Sequence, residues 1–300
     1  MKYIVIISIF LLSCGSGNTE PTMEKASGGV IPASNAEKQI NLTILLDLSD
    51  RIDPVANPDN PEHFERDSAL INHFTSYFLE QMRARGTYTA KSKMRLIFHP
   101  SPPDPDINQA AKKLDVDLSK MDTKGKKLIY ETFQQTVSEN ISNIYRTTIK
   151  QAVWPGSDIW RFFKNDVREV AIDNDSAYRN VLVIFTDGYI YHNDSKDRYN
   201  NRYAYLLPEL FAKLKLRNNS DWAEEIDRQD FGLISKRADL EHLEILLLEI
   251  NPSAKFKNDE DIIRKVIDKW FAEMKVKRWK IINTDLPQFT IQKVDNFLQE

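Results

Sequence analysis

Three stretches of the chain are apolar almost without a break: residues 40–48 (INLTILLDL), 180–185 (NVLVIF) and 242–251 (HLEILLLEIN). Runs this short and this continuous suit strands covered on both faces, the situation of a parallel sheet held between helices. Segments with helical spacing separate them. Phe64, Leu70, Ile71, Phe74, Phe78 and Met82 recur at helical intervals, and Gly86 is expected to stop that run. Ile129, Phe133, Val137, Ile141 and Ile144 mark a long amphipathic helix up to about Ala152. Residues 159–171 read as helical, as do residues near 208–216, the Ile262–Ile263–Val266–Ile267–Trp270–Phe271–Met274 series and residues 291–298. Shorter strands are expected at 94–99 and 279–283, and the charged stretch up to Gly125 reads as irregular. Such alternation predicts an α/β, Rossmann-like fold with a mostly parallel central sheet and helices on both faces. No internal repeat or second core-sized segment is visible, so residues 40–300 read as one domain.

Composition narrows the chemistry. With 300 residues, 41% hydrophobic and 28% charged, the chain can bury a core of its own. Its formal charge is −3 and its Lys and Arg are scattered, so it offers no basic field for a phosphate backbone and nucleic acid is not an expected partner. One Cys excludes a disulfide framework, a Cys-rich zinc site and a CxxC motif. The five His include no pair at metal-ligand spacing.

That one Cys stands in a telling place. Lys2 precedes an apolar run at 3–12, too short to span a bilayer as a permanent helix, and Leu11-Leu12-Ser13-Cys14-Gly15 follows. This resembles the lipobox of bacterial lipoproteins. The resemblance implies a signal peptide at 1–13, diacylglyceryl transfer to the Cys14 thiol and anchoring by acyl chains, each buried methylene contributing about 0.8 kcal/mol. Gly15 in place of Asp leans toward an outer membrane. Residues 14–39 then read as the lipidated Cys and a flexible Gly/Ser/Pro-bearing tether, whose r.m.s. span is on the order of 25–30 Å.

Two of the buried strands end in acids: Asp47-Leu48-Ser49-Asp50-Arg51 and Thr186-Asp187-Gly188. A carboxylate there needs a cation or a set of N–H donors, because an unpaired buried charge costs several kcal/mol. Between them, Pro155-Gly156-Ser157-Asp158 forms a turn that opens a helix and could project a hydroxyl. On these residues the chain resembles the von Willebrand factor type A domain and its metal-ion-dependent adhesion site. Asp47 and Ser49 match the first two positions of that family's Asp-x-Ser-x-Ser motif. Ser157 stands where the family has Thr, and Asp187 matches its third loop.

The resemblance implies an oxygen-only site for Mg2+, with Mn2+ or Ca2+ as alternatives, open to a carboxylate of a protein partner. Arg51 departs from the pattern, since a guanidinium cannot ligate a metal. It either turns outward toward a partner or occupies the metal's place against Asp47 and Asp187; Asp50 or Asp53 are the substitutes for the missing hydroxyl.

The segment 178–205 holds six of the eleven Tyr and follows the third site loop directly. Tyr189 and Tyr191, nearest Asp187, are its expected partner contacts. Trp154, Trp160 and His99 read as structural. The resemblance implies a lipid-anchored, extracytoplasmic binding or adhesion-type module and no enzyme. The alternatives are a Mg2+-dependent hydrolase, which lacks a second Asp at Ser49 and any Gly-rich phosphate loop or GxSxG elbow, and a structural domain whose metal site is degenerate.

Overall fold

Strand β1 (Gln39–Leu46) is buried from Ile40 onward and pairs in parallel with two neighbours, β2 (Lys93–Ile97) and β4 (Tyr178–Phe185). The computed structural model describes residues 38–252, 255, 256 and 258–300. The expected signal peptide, Cys14 and all of the expected tether but its last two residues lie outside the described residues. β4 pairs in parallel with β8 (Leu243–Ile250), and β8 with β9 (Arg278–Asn283). The two-residue β3 (Val116–Asp117) adds one antiparallel edge, giving the order β3-β2-β1-β4-β8-β9.

Alternate residues of each strand serve opposite faces, and the side-chain period of two sorts them into separate cores. Leu42, Ile44 and Leu46 of β1 and Val181, Val183 and Phe185 of β4 pack against α1 (His63–Thr89), α2 (Pro105–Lys112), α3 (Thr123–Gln151) and α9 (Pro287–Gln299). Leu45, Leu182, Ile184, Ile245 and Leu247 face the other way. They pack against α4 (Ile159–Arg161), a π turn (Phe162–Asp166), α5 (Val167–Ala171), α6 (Pro208–Lys213), α7 (Trp222–Arg228) and α8 (Asp259–Glu273). Each such Leu, Ile or Val contributes roughly 1.5–3 kcal/mol when fully buried. The fold class is the one expected: α/β, Rossmann-like, mostly parallel, helices on both faces.

Several elements differ from expectation. The stretch read as irregular before Gly125 contains α2 and β3. Asp104 caps α2, its Oδ1 accepting the Asp106 and Ile107 N–H groups. Gly86 does leave helical geometry (φ 72°, ψ 165°), but helical hydrogen bonding resumes beyond it and Ala90 N–H closes onto Gly86 O. Within the Tyr-rich insertion, β5 (Arg198–Tyr199) and β6 (Arg202–Tyr203) join β7 (Gly232–Leu233) in a small second sheet.

Candidate functional site

β1 leads to β2 on one side, and the chain later returns to β4 on the other, so the carboxyl ends of β1 and β4 flank the point where strand order reverses. Ligand crevices of open α/β sheets form there. Leu46 and Phe185 are register partners, and the next residues carry the candidate site.

Asp47 is 5% exposed. Its Oδ1 accepts the Ser49 N–H at 2.9 Å and its Oδ2 the Ser49 hydroxyl at 3.0 Å, an Asx turn closed by side chain and backbone together. Leu48 between them is buried in the core. Leu48 also fixes the second loop, for its carbonyl accepts the Gly156 N–H at 3.2 Å. That bond brings the Gly156-Ser157 turn alongside Asp47-Leu48-Ser49. Ser157 is 5% exposed, and its Oγ has no hydrogen-bond partner among the described residues.

From β4, Asp187 Oδ1 accepts the Tyr189 N–H at 3.0 Å. Gly188, at φ 100°, lets this turn pass tightly, since a Cβ there would meet Ile263 Cγ2 at 3.0 Å.

Burial pushes the Asp47 carboxyl up to about 6, against the nearby charge of Arg51 and the bonds from Ser49. Burial likewise raises Asp187, with the charge of Asp47 adding to it, up to about 7. Two carboxylates at one strand-end crevice thus resist ionising together in the absence of a counter-charge. Asp47, Ser49, Ser157 and Asp187 are hard oxygen donors, and the unpartnered Ser157 Oγ is free to accept a ligand role, so the residues fit a small divalent ion that keeps part of its water. No group of three or more His, Cys, Asp or Glu that could hold a metal occurs among the described residues, so hydroxyls and water would have to complete such a shell.

Arg51 takes neither expected course. It lies in a single 3-10 turn, Asp50–Ile52, that directs it inward, and it is 4% exposed. Its Nη2 pairs with Asp67 Oδ2 on α1 at 2.5 Å, and the Tyr145 hydroxyl on α3 donates to the same oxygen at 2.7 Å. Arg51 is therefore corrected from a partner contact to a buried charge beneath the site, its ion pair made with Asp67 rather than with Asp47 or Asp187. Asp53 accepts the Val55 N–H, whereas Asp50 lines the cleft.

Next to Asp67, Arg66 runs the other way. Its Nε meets Glu249 Oε2 at 2.9 Å and its Nη2 lies 2.8 Å from His63 Nδ1. Burial, with the charge of Asp67, raises Glu249 to about 7. Sequence reading missed this network, although Arg66 and Asp67 share the inward helical face with Leu70, Ile71 and Phe74.

Beside these groups opens a polar cleft of about 450 Å3, lined by Asp50, Arg51, Asp59, His63, Asp187 and Tyr189, so Arg51, though paired with Asp67, also borders it. A larger apolar groove of about 800 Å3 between α1 and α3 touches none of the four candidate ligands. Tyr189 is part-buried, its hydroxyl donating to Asp259 at 3.3 Å. Tyr191 is 42% exposed and edges onto Tyr205. Trp160, as expected, is core, with Nε1–H donating to Ile234 O.

Sheet order and acid-ended strands together define a Rossmann-like α/β domain with a mostly parallel sheet. No family model matches the chain, and no curated protein does. Among solved structures it is similar to an aerotolerance-related membrane protein from Bacteroides fragilis, at 12% identity and a TM-score of 0.38 over 86% of this chain and 98% of that one. It is also similar to the pilus adhesin SpaC from Lactobacillus rhamnosus GG, at 9% identity and a TM-score of 0.42, covering 87% of this chain and 30% of the adhesin. No helix among the described residues is long and apolar enough to cross a membrane.

Proposed function

We propose that this protein is a lipid-anchored, extracytoplasmic binding module that captures a protein partner through a divalent cation, Mg2+ foremost, held by Asp47, Ser49, Ser157 and Asp187. The supporting observation is the conjunction at the β1–β4 crevice: two carboxyls raised to about 6 and about 7 beside a buried serine hydroxyl with no partner. A divalent ion would let both acids ionise and would give Ser157 Oγ a bond. When bound, it supplies an open coordination position for an acidic side chain of the partner. Asp47 and Asp187 would hold it from just past the ends of two strands, the Ser49 turn orients Asp47, and Tyr191 offers an exposed ring on the loop that follows Asp187. Capture of this kind involves no turnover, and the role proposed is binding rather than catalysis. The Cys14 lipobox supports placement on a bacterial membrane, the outer one where the cell has two.

A thermal melt in millimolar Mg2+ or Mn2+ against EDTA, beside Asp187→Ala, tests the cation. A ligand at a hundredfold excess over its Kd stabilises by about 2.7 kcal/mol. The wild type is expected to melt higher with metal and the variant to show no difference. No shift in the wild type would overturn the cation reading. It would favour a second reading, to which the buried Arg51 gives specific support: a site already neutralised from below, binding its partner regardless of chelator.

A further inference from the structure

Asp158 follows Ser157 directly and is 1% exposed. Its Oδ1 accepts the Arg161 backbone N–H at 3.0 Å, and its Oδ2 meets Arg161 Nε at 3.1 Å. That same Oδ2 accepts the Ser195 hydroxyl at 2.5 Å, and His192 Nδ1 lies 3.4 Å away. Its backbone is tied as well, the N–H donating to His99 O at 2.6 Å. His99 in turn places Nδ1 3.1 Å from the Asp158 carbonyl and Nε2 2.8 Å from Asp166 Oδ2. The Asp158 carboxylate thus joins the start of α4 to the loop after β4 that carries Tyr191, while its backbone ties the turn that carries Ser157 to His99, just past the end of β2.

We infer that Asp158 is a positioning residue coupling the loop at 189–197 to the Ser157 hydroxyl, so that an occupant of the strand-end crevice and an occupant of the loop reinforce each other. The consequence for metal rests on the cation reading above; the link itself does not. Ser157 is held from one side by the Gly156 N–H to Leu48 and from the other by Asp158. Lifting the loop away would remove Ser195 and His192 from a carboxylate that is out of water, and such a group is costly to leave short of partners. Loop and turn therefore move together, and what steadies one steadies the other by the same factor.

The test uses the full chain as Ser195→Ala and His192→Ala, with Asp158→Asn as a third variant that keeps the side-chain shape. Amide hydrogen exchange is followed in EDTA over 155–162, a segment distant in sequence from Ser195, and Mn2+ affinity is titrated separately. Ser195→Ala is expected to speed exchange at 155–162 roughly fivefold, with α1 and α8 at wild-type rates, and to weaken Mn2+ by a similar factor. Mn2+ should also slow exchange at 189–197 in the wild type and fail to do so in Ser195→Ala. Unchanged exchange at 155–162, or acceleration spread evenly over the molecule, overturns the coupling. Should the wild type bind no Mn2+ while Ser195→Ala still loosens 155–162, the coupling stands and the cation reading falls. If Asp158→Asn does not fold, the Ser195→Ala comparison decides alone.

Discussion

Arg51 and Asp67 are sixteen residues apart in the chain and 2.5 Å apart in the fold. Nothing in Asp47-x-Ser49-x-Arg51 says which way the guanidinium turns, because that depends on an acid contributed by another element. The two site acids were easier to read. An apolar strand that ends in Asp announces a carboxylate at the sheet's rim: Asp47 is buried there, and Asp187 is partly exposed in the wall of the cleft. Asp67 was legible too, had the polar positions on the inward face of α1 been weighed along with the apolar ones.

The Arg51–Asp67 pair gives a prediction at this scale. Asp67→Asn leaves a guanidinium buried without its counter-charge and should cost about 3–5 kcal/mol in urea denaturation. Pairing it with Arg51→Met should recover most of that, since a packed apolar side chain needs no counter-ion. A loss below about 1 kcal/mol for the single variant would show that water reaches the pair.

At the level of elements, the long apolar strands and the longer helices were plain, because each carries its own period. The elements missed are the polar ones. α2 begins at Asp104-Pro105, a capping residue followed by a proline that suits a helix start, a stop-start signal hidden inside a charged segment. α7 and the two-residue strands β5, β6 and β7 are too short to show any period, and their partners come from distant parts of the chain.

The last helix, α9, is held by charges that no pattern on it reveals. Arg179 and Arg278 donate to the Phe297 carbonyl, and Arg179 also to Leu298 O, meeting carbonyls that a helix end leaves open. Glu244 keeps both arginines in place and takes Lys277 as well. Burial would raise its carboxyl, but the bonds and charges of these cations outweigh it and hold it down at about 2. A carboxyl lowered in the fold stabilises above its ordinary value near 4.5 and loses that contribution as pH falls toward 2. Acid melts should therefore lose on the order of 3 kcal/mol between those limits through this group. Glu244→Gln should melt lower than wild type at pH 7 and nearly level with it at pH 2; a constant gap across that range would remove Glu244 from the account.

For the molecule as a whole, alternation of strands and helices pointed to a parallel sheet, but not to its order. The order β3-β2-β1-β4-β8-β9 comes from long-range pairing, and with it the meeting of the β1 and β4 ends. The proposed anchoring is tested on the whole chain. Cys14→Ser should move the protein from the detergent-rich to the aqueous phase in a phase-partition assay, with unchanged melting of the folded part. A variant that stays with detergent would end the lipoprotein reading.

Because β1 runs parallel to β2, β4, β8 and β9, the chain comes into the sheet at Gln39 on one pole and presents Asp47 and Asp187 at the other. Eight residues of strand, at about 3.3 Å each, separate the two poles by roughly 26 Å. Entry and cleft are thus antipodal within this domain: the rim that holds Asp47 and Asp187 lies a full strand's length from the point where the sheet begins.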